Sequence, residues 1–126
     1  MTGAPASPLV LGIDPGLRIC GWGLVRAGQR PVYGGCGVVK PKTTDSVEKR
    51  LLHLHTNVTQ LLETYRPDEV AIEDPFVGAL NPASALAIGQ ARAVAMLAAA
   101  QHGLEVSLYA PREVKAAVGY GASDKT

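Results

Sequence analysis

Two short stretches constrain the fold more than anything else in the chain: Leu9-Val10-Leu11-Gly12-Ile13-Asp14-Pro15-Gly16 and Val70-Ala71-Ile72-Glu73-Asp74-Pro75-Phe76. Each is an apolar run that ends in a carboxylate and is then broken by proline. Periodicity alone does not separate so short a run from a piece of helix, but β-branched content and a Pro-Gly or Asp-Pro stop favour buried strands. If the two strands lie parallel and adjacent, Asp14 and Glu73 meet at their carboxyl ends. In open α/β sheets that edge is where ligands bind.

The rest of the chain supplies elements to build such a sheet. Ile19 to Arg26 and Pro31 to Lys40 flank Ala27-Gly28-Gln29 and read as a hairpin. With a three-residue loop, Cys20 faces Cys36, Trp22 faces Gly34 and Tyr33 faces Gly23. Aromatic rings then lie over cross-strand glycines, a known compensation for glycine in strands. The same register brings the two sulfurs within reach, although in a reducing compartment they stay free thiols. Asp45 and Glu48 have the spacing of a capping box, and Val47, Leu51, Leu54, Val58, Leu61 and Tyr65 recur at helical steps until Pro67. His53 and His55 sit two apart on that helix, so they point to different sides and share no metal. A strand from Glu69 to Glu73 follows. Asn81-Pro82 then opens an Ala-rich helix that closes near Gly103. That helix is small and apolar almost all round, which predicts burial on more than one side, against the sheet and against a second subunit. A strand from Glu105 to Tyr109 and a short helix led by Pro111 complete the order β-β-β-α-β-α-β-α. The expected architecture is α/β: a five-stranded mixed sheet with helices packed on it.

At 126 residues the chain has the size of a single domain. It shows no signal-peptide pattern, and the reading is a cytoplasmic protein. Net charge is +1, so bulk electrostatics do not announce a nucleic-acid partner. The distribution is uneven, however: residues 1–50 carry seven Lys/Arg against three acids, and the remainder five against eight.

Two carboxylates on neighbouring strand ends repel unless a cation lies between them. Hard oxygen donors without His or Cys point to Mg²⁺ or Mn²⁺, and such a pair suits phosphoryl chemistry. The competing reading is structural, with Asp14 starting a turn and Glu73 capping the next connection. On spacing alone both stay open.

The motifs Gly12-Ile13-Asp14-Pro15-Gly16 with Gly21-Trp22-Gly23, Ala71-Ile72-Glu73 followed by Phe76, and Asn81 with Ser84-Ala85-Leu86 leading to Gly89-Gln90-Ala91-Arg92 together resemble the RuvC family of bacterial Holliday junction resolvases. The resemblance runs from about Leu9 to Lys125. It implies a ribonuclease H-like fold, a homodimer, and an Mg²⁺-dependent endonuclease, with Mn²⁺ as a substitute and two ions per complete site. Such an enzyme makes paired nicks in four-way junction DNA during recombination and repair, and branch-migration proteins are its partners. By the same resemblance Asp14 and Glu73 are catalytic metal-binding acids, Phe76 is the aromatic inserted at the junction centre, and Lys115 and Lys125 contact DNA phosphates. The family carries two further acids on a C-terminal helix, and the only acids after Asp74 here are Glu105, Glu113 and Asp124. The expectation is therefore a single nuclease domain, residues 1–126, that lacks that helix and binds branched DNA without cutting it. Asp74 follows Glu73 on the strand, so it points to the other face and is not expected as a ligand.

Two other function classes compete. Sugar kinases and actin-like ATPases share a Gly-Ile-Asp-x-Gly first strand but use two such domains around a nucleotide. A non-catalytic module would recognise branched DNA by shape and phosphate contacts. ATP binding identifies the first, and independence from divalent ions the second.

Overall fold

The computed structural model describes residues 8–27, 32–73 and 80–109. Within them, β1 (Leu9–Asp14), β2 (Cys20–Arg26) and β3 (Val32–Val39) are followed by α1 (Val47–Tyr65), β4 (Glu69–Glu73), α2 (Pro82–Gln101) and β5 (Val106–Tyr109). The five strands form one sheet in the order β3-β2-β1-β4-β5. β2 pairs antiparallel with both β1 and β3, while β4 is parallel to β1 and to β5. The sheet is mixed, as expected, and the two acid-tipped strands are parallel neighbours at its centre. The helix expected after Pro111 lies outside the described residues.

Both helices pack on one face. Alternation along the strands turns Leu11 and Ile13 of β1, Cys20 and Leu24 of β2, Val39 of β3, and Val70 and Ile72 of β4 toward them. These residues form one buried cluster with Leu54, Val58 and Leu62 of α1 and Ala91, Ala95, Ala98 and Ala99 of α2. Small alanines let α2 approach the sheet and α1 closely. The expected apolar stripe of α1 is correct in its middle, but Val47 and Tyr65 at its ends are exposed. Tyr65 instead lies beside the Trp22 ring, with centroids 5.8 Å apart.

The hairpin register differs from the one expected. Cys20 faces Val39, Trp22 faces Gly37, Gly23 faces Cys36 and Val25 faces Tyr33. Arg26 pairs with Val32, so the connection is five residues rather than three, and a bulge between Leu24 and Val25 adds one more step. Beyond the bulge the combined shift is odd, which moves the β3 side chains from Gly35 to Val39 to the opposite face. Cys20 is consequently buried under the helices and Cys36 is exposed on the other face, both as free thiols. Aromatic cover of a glycine survives with a different partner: a Cβ on Gly37 would stand 2.9 Å from the Trp22 ring.

α1 also starts later than the capping box implies. The Asp45 amide donates to the Lys42 carbonyl at 3.1 Å, closing a turn that keeps Asp45 out of the helix. Ser46 takes the N-cap position with no side-chain hydrogen bond, and its carbonyl accepts from the Arg50 amide. Asn81 caps α2 as expected, its Oδ1 accepting from the Ser84 amide at 2.8 Å ahead of Pro82.

Candidate active site

Strand pairing brings the two acids together. β1 and β4 pair Ile13 with Ile72, and Asp14 and Glu73 are the next residue on each strand. Hydrogen-bonded neighbours in a sheet are about 4.8 Å apart. Counting in steps of two from Gly12 and Ala71, both carboxylates point to the face opposite α1 and α2, and both are half-buried at the strand ends. β5 continues the edge, with Tyr109 paired to Glu73.

The turn after Asp14 is tightly tied down. Pro15 and Leu17 are buried, and a Cβ on Gly16 would fall 2.2 Å from the Ile19 carbonyl oxygen, so only glycine fits. From the first turn of α1, Arg50 donates through Nη2 to the Leu17 carbonyl at 3.0 Å. Burial pushes the Cys20 thiol up to about 12; the Gly16 amide opposes that rise and the charge of Asp14 adds to it. Cys20 is thus a neutral thiol beneath the turn, on the face away from the acids.

The donor chemistry at this edge suits a hard divalent cation. Among the described residues no Lys or Arg forms an ion pair with Asp14. No group of three or more His, Cys, Asp and Glu gathers among those residues, so the pair alone is not a closed cage. Mg²⁺ is commonly held in this way, by one or two carboxylates with the rest of its octahedron left to water and phosphate oxygens.

Of the residues singled out from the sequence, the fold brings Asp14 and Glu73 together. Asp74, Phe76, Lys115 and Lys125 lie outside the described residues. His53 is exposed, and His55 bonds through Nε2 to Gln101 at 2.8 Å; neither approaches the acid edge. A cleft of about 310 Å³ lined by Leu62, Glu63, Arg66, Pro67, His102 and Leu104 opens at the far end of the sheet, where β4 and β5 begin. It holds none of the paired acids. Arg50 escaped the sequence reading because its contact is with a main-chain carbonyl 33 residues away, and no periodic pattern encodes such a bond.

Comparison with known proteins bears on the fold and the family. The family model for crossover junction endodeoxyribonuclease RuvC matches residues 10–126. Crossover junction endodeoxyribonuclease RuvC of Maricaulis maris is 52% identical over 118 residues, spanning 92% of this chain and 70% of that protein. The corresponding protein of Azorhizobium caulinodans is 46% identical over 118 residues, 92% of this chain and 69% of its own length. Among solved structures, T. thermophilus RuvC in complex with Holliday junction substrate superposes with a TM-score of 0.75 at 31% identity. The match covers 82% of this chain and 64% of that one, a little under two thirds of its length. The yeast mitochondrial Holliday junction resolvase Ydc2, at 11% identity and a TM-score of 0.55 over 88% of this chain and 56% of that one, shares the fold.

Proposed function

Because the chain belongs to the RuvC family of crossover junction endodeoxyribonucleases, we propose that it serves as a metal-dependent nuclease domain acting on four-way DNA junctions in recombination and repair, with Asp14 and Glu73 as metal-holding catalytic acids. The observation that carries this reading is the adjacency of those two residues on parallel strand ends, facing the same side.

Mg²⁺, with Mn²⁺ as a substitute and two ions in a complete site, would supply activation of a water and stabilisation of the leaving oxygen. The chain's own part is to hold and aim. Asp14 and Glu73 contribute charged oxygens at a fixed spacing set by the ladder. The Gly16 turn and the Arg50 contact limit how far the backbone beside Asp14 can move. Two carboxylates leave positions around the ion for further donors, which the family resemblance assigns to two more acids on a C-terminal helix. Phe76, just past the acid strand, serves in this proposal as an apolar wedge between junction bases, and Lys115 and Lys125 as phosphate contacts.

The proposal includes a homodimer built on α2. This helix buries Ala91, Ala95, Ala98 and Ala99 on its own domain, yet Leu86 is 63% exposed and Leu97 53%. An isologous pairing through that side would give the enzyme the two-fold symmetry of its substrate. Branch-migration proteins as partners and a cytoplasmic location complete the reading.

The test is titration calorimetry of Mg²⁺ and Mn²⁺ with the wild-type chain and with Asp14→Asn and Glu73→Gln, each first shown to be folded. Loss of ion binding in both variants supports the site. Unchanged ion affinity in a folded Asp14→Asn would show that the ion binds elsewhere. ATP binding by the chain, or junction recognition indifferent to both substitutions and to divalent ions, would favour the competing classes.

A further inference from the structure

The uneven charge of the sequence acquires a location once the strands are assembled. Five basic residues from the first fifty lie at the same end of the sheet as Asp14. Arg18 belongs to the turn that follows Asp14. Lys40 and Lys42 follow β3, whose last residue Val39 pairs with Cys20, the first residue of β2. Lys49 and Arg50 lie at the start of α1, and the Arg50 to Leu17 bond at 3.0 Å fixes that helix start against the turn bearing Arg18. Arg18, Lys40, Lys42 and Lys49 are all exposed. Among the described residues, two acids besides Asp14 and Glu73 share this flank: Asp45, half-buried, and Glu48, exposed.

The opposite end of the sheet has the reverse balance. Among the described residues, Glu63, Asp68, Glu69 and Glu105 stand there against Arg26 and Arg66. Among the described residues, charge is therefore uneven along the strands, with the larger group of basic side chains beside the acid pair.

We propose that Arg18, Lys40, Lys42 and Lys49 form a phosphate-contacting surface that carries the DNA backbone away from the acid edge on the β2–β3 side, with Arg50 as the clamp that assembles it. This rests on the nuclease reading above and adds a binding surface to it. Duplex DNA places one negative charge about every 1.7 Å of helix axis. A backbone that presents a phosphate to Asp14 and Glu73 must continue in some direction, and this flank offers it several cations and little opposing charge. The contacts are with phosphates, so they supply affinity and register without sequence preference.

The experiment measures binding of the chain to a synthetic four-way junction and to a plain duplex across a salt series. It uses the wild type, Lys40→Gln/Lys42→Gln, Arg18→Gln/Lys49→Gln, and a control, Arg26→Gln/Arg66→Gln, that removes the same charge from the far end. Thermal melts check that each is folded. Each lost phosphate contact lowers the slope of log K against log salt by about 0.9, so each flank variant should lose about 1.8 in slope on both DNAs. The control should keep the wild-type slope. Equal slopes for flank and control variants, with the wild type binding normally, would overturn this surface and leave the nuclease proposal standing. A wild-type chain that binds neither DNA would overturn both.

Discussion

Substituting alanine at two glycines tests how the turn after Asp14 is built, because the same chemical change should have opposite effects at the two places. At Gly16 the new Cβ would lie 2.2 Å from the Ile19 carbonyl oxygen and 3.2 Å from its carbon, far inside the 3.4 Å of ordinary contact. The obstacle is main chain, so no side-chain rotation relieves it. Leu17 is 5% exposed with its carbonyl held by Arg50, and Cys20 is 1% exposed, so the turn has little room to yield. Overpacking of this kind costs about 1–3 kcal/mol. For a chain of this length that corresponds to a fall in Tm of roughly 4–12 °C. At Gly34 the nearest atom would be the Leu24 Cβ at 3.5 Å, an ordinary contact. Alanine there should be neutral or stabilise by about 0.5–1 kcal/mol, since glycine is costly in a strand. The assay is a pair of calorimetric melts together with Mg²⁺ titration. Gly16→Ala should melt lower and bind the ion more weakly, because Asp14 lies two residues away, and Gly34→Ala should do neither. If Gly16→Ala kept the wild-type Tm and ion affinity, the claim that the turn sets the position of Asp14 would fail.

Other expectations follow from single contacts. Arg50→Met removes a hydrogen bond from a charged donor and should cost about 1.5–3 kcal/mol in a denaturant titration; a smaller loss would mean that Leu17 is held by packing alone. A thiol reagent at neutral pH should label Cys36 quickly and Cys20 only on unfolding, and fast labelling of both would contradict the burial of Cys20. The Cys20 thiol is raised from its ordinary 9.0 to about 12 in the folded chain, so the stability gained by keeping it neutral is whole below pH 9 and is lost as pH rises toward 12. Unfolding free energies measured between those limits should decline more steeply in the wild type than in Cys20→Ala. Ala87, the outward residue expected from the sequence, lies one turn before the buried Ala91 and is only half-exposed, so the seam is tested at Leu97, 53% exposed: Leu97→Glu should reduce the dimer fraction seen by light scattering, and an unchanged mass would place any self-association elsewhere.

Much of the scaffold was legible because short-range chemistry encodes it. The runs ending at Asp14 and Glu73 have strand length, β-branched content and proline stops, and these are local facts that survive assembly. Asn81-Pro82 and the alanine pattern likewise specify where α2 begins and why it fits against a sheet. The capping box at Asp45 failed for an equally local reason: the turn closed by the Lys42 carbonyl competes for the Asp45 amide. Local signals of similar strength can conflict, and the pattern alone does not say which one prevails.

The sequence by itself therefore determined the elements, the two acid-tipped strands and the family, since each rests on residue order and spacing. Tertiary structure decided the rest. The hairpin register depended on a five-residue connection and a bulge, and one odd shift separated Cys20 from Cys36 across the sheet. Adjacency of Asp14 and Glu73 required β4 to pair parallel with β1, a choice made by long-range ladder bonds and a shared core rather than by either strand's composition. The Arg50 clamp and the basic flank join residues far apart in the chain. Spacing encodes which atoms are neighbours along the backbone, whereas the proximity of charges across a sheet edge exists only after the core has closed.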